Sequence, residues 1–188
     1  MVPGFTPRRP ANPDRFFRGL AEHAFHGRLG VVDPPLVDYV STLLVRFIRN
    51  DHLRPLPGGR MEAGDQLVMM LAALGARPQH HVDDAATPAA RGGAGVAGPT
   101  WHGVAYRHIG DYTLFWTGLY PEALGCRGQV SRGGRLDEYR VAGKHAYWIA
   151  STCEPTSAAE RSLLERLSRD YDTCAEGLAE VRRAWAAS

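Results

Sequence analysis

Lysine is almost missing from this chain. Of its 22 basic residues only Lys144 is lysine, and the rest are arginine. Beside a high content of alanine, glycine and proline, that bias points to the codon usage of a GC-rich, bacterial genome, so the arginines are poor support for nucleic-acid binding. Net charge is also scarce, at +2 over 188 residues. Without a basic stripe or an acidic block, electrostatics alone nominates no partner, and a nucleic-acid role is disfavoured. Cysteine is limited to Cys126, Cys153 and Cys174. An odd number without C-x-x-C spacing argues against a disulfide framework or a thiolate zinc centre and suits a reducing cytoplasm. No run of about 18 uncharged apolar residues exists, so no membrane span is expected. The first residues carry Arg8 and Arg9 but no apolar core of the kind a secretory signal needs.

The familiar catalytic signatures are absent too. There is no phosphate-binding G-x-x-x-x-G-K-[ST], no G-x-G-x-x-G, no G-x-S-x-G elbow and no H-E-x-x-H pair. Period-2 alternation, the mark of a half-buried strand, is not sustained anywhere.

What is present is helical periodicity. Asn12-Pro13-Asp14 reads as the N-cap and first positions of a helix carrying Phe16, Phe17, Leu20, Ala24 and Phe25 on one side, with Gly27 and Gly30 at its end. Asp33-Pro34 opens a second helix whose stripe is Leu36, Val40, Leu43, Leu44, Phe47 and Ile48. Prolines and glycines break the chain over 54–60, and a third helix is expected over 61–74. Residues 76–100 hold almost no large apolar side chain and read as a flexible Gly/Ala/Pro-rich loop. The aromatic segment from Trp101 reads as a fourth helix that Pro121 ends or kinks, and a fifth, from about 136 to 153, would turn Tyr139, Ala142, Ala146, Ile149 and Cys153 inward. Last, Ser157 and Glu160 form a capping box, followed by Leu164, Leu167, Tyr171, Cys174, Leu178, Val181 and Trp185 at alternating spacings of three and four. This predicts one long C-terminal helix packed on its own domain rather than a dimeric coiled coil. The expectation is an all-α, single-domain bundle of about six helices. It comprises an N-terminal arm (1–12), a first helical half (13–75), the loop (76–100) and a second half (101–188) that packs with the first.

The densest stretch is Trp101–Leu124, which holds Trp101, Tyr106, Tyr112, Phe115, Trp116 and Tyr120 among His102, Arg107, His108 and Asp111. Aromatics bury the largest areas, so this segment should lie at the centre of the fold. Gly110 and Gly118, two turns apart, would let another element approach closely. A histidine and a carboxylate at i and i+3 can share a hydrogen bond that fixes a tautomer, which makes His108 and Asp111 the leading catalytic pair. Against it stands an ordinary core role, with Arg107 and Asp111 as a surface i,i+4 pair. Lys144 joins the catalytic candidates because lysine, unlike arginine, can deprotonate when buried.

Glu22 and His26 share a helix face at i,i+4, and with His108 they are the candidate metal ligands. The paired Glu-x-x-His repeats of di-iron bundles are missing, so no cofactor is predicted beyond a single divalent metal as an open option. His80, His81, Asp83 and Asp84 fall in the loop, where no geometry is preorganised. Tyr112, Trp116 and Tyr139 are candidate ligand or interface residues.

The leading expectation is a soluble, cytoplasmic, non-catalytic protein-interaction or regulatory module that binds a protein partner or itself, without membrane contact. The alternative is a small-molecule- or metal-binding helical enzyme with its pocket around His108 and Asp111.

Overall fold

A computed structural model describes residues 10–49, 67, 69–70, 99–124, 134–153 and 156–188. These residues form seven α-helices and one π-helical segment, with no strand among them: α1 Pro13–Glu22, the π segment His23–Arg28, α2 Pro34–Arg49, α3 Pro99–Leu119, α4 Pro121–Leu124, α5 Gly134–Thr152, α6 Ala158–Arg169 and α7 Tyr171–Ala186. The chain is an all-α bundle. No helix among the described residues is long and apolar enough to cross a membrane. Of the helix expected over 61–74, only Leu67, Met69 and Met70 are described, and they are helical. The expected loop lies outside the described residues except at 99–100, which already belong to α3.

The helix starts follow their capping chemistry. Asn12 accepts a hydrogen bond from the Arg15 amide (3.2 Å) with Pro13 at the first helical position, and Asp33 accepts from the Leu36 amide (3.2 Å). Asp33 also takes the Arg166 guanidinium (2.6 Å), which ties the start of α2 to α6. Past Glu22 the first helix widens. The Leu29 amide donates to the Ala24 carbonyl, five residues back (3.1 Å). That insertion lets neighbours Ala24 and Phe25 both turn into the core. Gly30 then reverses the chain with φ +68°.

α3 occupies the centre. From Ile109 to Leu119 every side chain except the half-buried Trp116 is buried, the all-round burial of an innermost helix. It packs against α5 and α7, while α1 and the π segment close on α7 and α6 lies on α5. The glycines set the spacing. A Cβ at Gly110 would stand 2.7 Å from the Tyr147 ring, and one at Gly118 would stand 2.5 Å from Leu178 Cβ. Gly110 meets Tyr147, Gly143 meets Thr113 and Gly103 meets Cys153, so α3 and α5 run antiparallel.

Two expectations need correction. The long C-terminal helix is two helices, because Asp170 leaves helical geometry (φ −100°, ψ 24°), a position where an aspartate costs little. Hydrogen bonds from Asp170 to Arg166 (2.8 Å) and from Cys174 to Asp170 (2.9 Å) carry the ladder across the joint. The apolar seam therefore survives, and all seven of its residues are buried. The inner face of α5 is also rotated from the expected one. Gly143, Tyr147, Ala150 and Ser151 join Tyr139 and Ala146 inside, while Ala142, Ile149 and Cys153 are half-buried.

Candidate functional site

The chemistry of the interior converges on Asp111, which α3 carries to the centre of the bundle with only 1% of its side chain exposed. Tyr39 and Arg46, at i and i+7 on α2, flank the apolar stripe of that helix and point their polar ends at it. The Tyr39 hydroxyl donates to Asp111 Oδ1 at 2.5 Å, and the Tyr147 hydroxyl from α5 donates to the same oxygen at 2.9 Å. The Arg46 guanidinium pairs with Oδ2. Tyr39 in turn accepts from Arg107 Nε (3.1 Å), and Arg107 pairs with Glu160 at the start of α6. Three helices are thus joined through one carboxylate, and the Arg107–Glu160 pair adds α6.

Burial pushes the Tyr39 phenol far above its ordinary range, the Asp111 charge adds to the rise, and Arg107 opposes it. Tyr147 is raised in the same way by burial and then by Asp111. Both hydroxyls therefore stay protonated and act as fixed donors. Their two bonds fill Oδ1, and Arg46 fills Oδ2. A buried carboxylate held by three donors from two other helices braces the bundle.

The proposed partner of Asp111 stands elsewhere. His108 lies on the exposed side of α3, where its ring stacks on Phe47 of α2 (centroids 6.3 Å, planes 15° apart). Residues at i and i+3 diverge by about 60° around a helix, and that angle separates the solvent side of α3 from its core side. The Arg107–Asp111 surface pair is replaced as well, since Asp111 is buried and Arg107 serves Tyr39 and Glu160. Lys144 is on the surface, paired with Asp172 at 2.7 Å.

Glu22 is exposed and pairs with Arg18 (3.1 Å), and His26 is exposed on the π segment. Among the described residues no three His, Cys, Asp or Glu side chains are grouped to hold a metal, so Glu22, His26 and His108 do not come together. Tyr112 and Tyr139 are core rather than surface residues, with rings 6.3 Å apart, and Trp116 packs half-buried beside Tyr112 (6.1 Å). Burial pushes the Tyr112 phenol up to about 12. Trp116 Nε1 is buried without a hydrogen-bond partner among the described residues. Cys153 and Cys174 are free thiols, both raised by burial, Cys174 to about 12. Neither has the depressed value of a reactive thiol. Trp101's side chain, Cys126 and the loop residues His80, His81, Asp83 and Asp84 lie outside what is described.

Tyr39 and Arg46 are the residues that sequence reasoning missed. Their signal was two polar groups one face-repeat apart, bordering the apolar stripe of α2. Fold and interior together define the class of this protein: a helical bundle braced by a buried carboxylate–tyrosine–arginine cluster. Comparison with protein-family models, with curated proteins and with solved structures found no match.

Proposed function

We infer that this chain is a non-catalytic helical interaction module that engages a protein partner in the cytoplasm. The observation that carries this reading is on α5. Val141, His145 and Trp148 recur at i, i+4 and i+7 on its outer face, with Val141 67% and Trp148 55% exposed. The Trp148 ring stacks on His145 (centroids 6.0 Å, planes 12° apart), which holds the indole ready at the surface. Tryptophan is a favoured binding anchor because it offers a large, stiff apolar area. The occupied Asp111 carboxylate supports the same reading, since the one carboxylate at the centre of the bundle is bound by its neighbours.

Trp148→Ala tests it. The side chain is more than half outside the fold, so the melting temperature should stay within about 2 °C of the parent. Affinity for a partner captured by the parent chain should fall at least about tenfold. Mass in solution, measured for both chains, separates a foreign partner from a second copy. Equal capture of the same partner by parent and variant would remove the α5 face from the interaction.

A further inference from the structure

A second polar region lies on the α1 side of α2 and is open to water. Between α1 and α2 is a cleft of about 550 Å³ lined by Asn12, Asp14, Arg15, Arg18, Asp38, Ser41, Thr42 and Val45. Two ion pairs span its ends. Arg49 holds Asp14, and Arg18 holds Asp38 at 3.0 Å while also taking Glu22. These pairs keep the two helices clasped and leave the space between them unfilled.

The two walls differ in the groups they leave uncommitted, although the Asp14 carboxylate, paired with Arg49, also lies on the α1 wall. On the α2 wall the Ser41 and Thr42 hydroxyls both donate to the Asp38 carbonyl (2.9 and 2.8 Å), so their protons are committed and their oxygens remain as acceptors. The Asp38 carboxylate beside them is an acceptor as well. On the α1 wall Arg15 contributes a guanidinium with no ion-pair or hydrogen-bond partner among the described residues, a five-proton donor that is always charged. Buried Val45 adds an apolar patch.

We propose that this cleft binds a small zwitterion carrying one carboxylate and one ammonium group, the chemistry of a free amino acid. Arg15 takes the carboxylate through its planar fork. The ammonium donates to the Asp38 carboxylate and the Ser41 and Thr42 oxygens, and the carbon body rests on Val45. A simple anion would meet only one uncommitted cation and an opposing wall of acceptors. A simple cation would leave Arg15 unmatched. A ligand with both charges uses both Arg15 and the Asp38–Ser41–Thr42 acceptors, and a cleft of this volume has room for one. The inference is independent of the α5 face.

The test uses the full chain. The proteinogenic L-amino acids are titrated singly at up to millimolar concentration while backbone amide shifts are followed by NMR, with acetate and ethylamine as half-ligand controls. At least one amino acid should give saturable shifts at Arg15, Ser41, Thr42 and Val45 that neither control reproduces. Arg15→Gln should weaken that binding at least about tenfold and Thr42→Val several-fold. Arg15 is exposed and unpaired, so its variant should keep the parent's melting temperature, which separates lost binding from lost fold. The absence of saturable shifts with every amino acid overturns the proposal. So does binding unchanged in Arg15→Gln, and so does acetate binding as well as the best amino acid, which would make the cleft a plain anion site.

Discussion

Asp111 and Asp38 are both aspartates paired with an arginine, yet they do different work. Asp111 is 1% exposed, its Oδ1 filled by two tyrosine hydroxyls and its Oδ2 by Arg46. Asp38 is 52% exposed, and one of its oxygens meets Arg18 in open water. Desolvation separates them. Around Asp111 protein donors replace the lost water contacts, and that replacement makes the cluster a brace. At the α1–α2 cleft water supplies whatever the protein does not, so groups can be left over for a ligand.

The contrast breaks most visibly at Asp111. Asp111→Ala leaves two buried hydroxyls without their acceptor and Arg46 without its counter-charge, and should destabilise by about 3 kcal/mol in urea denaturation. Arg46 is itself 41% exposed, so most of that loss comes from the hydroxyls. A change below about 1 kcal/mol would mean that water reaches the cluster and that the two regions are alike.

Alkaline pH probes the same cluster more gently. Burial raises the phenols of Tyr39 and Tyr147 above ordinary tyrosine. Their contribution is therefore complete below about pH 10, where unfolded tyrosines still hold their protons. It is lost as pH rises further, because the unfolded chain releases protons that the folded chain keeps. Each tyrosine should add a slope of up to about 1.4 kcal/mol per pH unit above that point. Urea midpoints measured across this range should fall for the parent and fall less steeply for Tyr147→Phe. Parallel curves would remove Tyr147 from the effect.

The smallest effect is expected at the cleft. Asp38→Ala should cost under about 1 kcal/mol, and molar salt should erase most of that difference while leaving the Asp111→Ala loss nearly unchanged. A salt-resistant loss at Asp38 would show that the clasp is drier than its exposure implies.

The sequence revealed whatever depends on near neighbours. Asn12, Asp33 and Ser157 cap their helices as their spacing implies. The seven-residue seam from Leu164 to Trp185 is buried throughout, and Gly110 and Gly118 do admit close neighbours. The site was harder because its partners are remote. Asp111 could be singled out as the notable carboxylate of its segment, but its acceptor oxygens are claimed from α2 and α5. Local spacing offered His108 instead. Pair spacing along one helix says which groups share a side, and it does not say which side faces inward when the helix is surrounded. The break at Asp170 was hidden for a related reason, since the apolar rhythm runs through it unchanged.

One contact from the fold bears on how the protein folds. A Cβ at Gly177 would stand 2.3 Å from the Phe25 ring, and nearby Phe17 sets its ring edge-on against Trp185, with centroids 4.8 Å apart. The first helical elements are therefore completed by the last one. Phe17 and Phe25 complete their burial only when α7 docks against them. Closure of this bundle therefore depends on contacts between sequence-distant residues, which pay loop-closure entropy before they add stability and so form slowly.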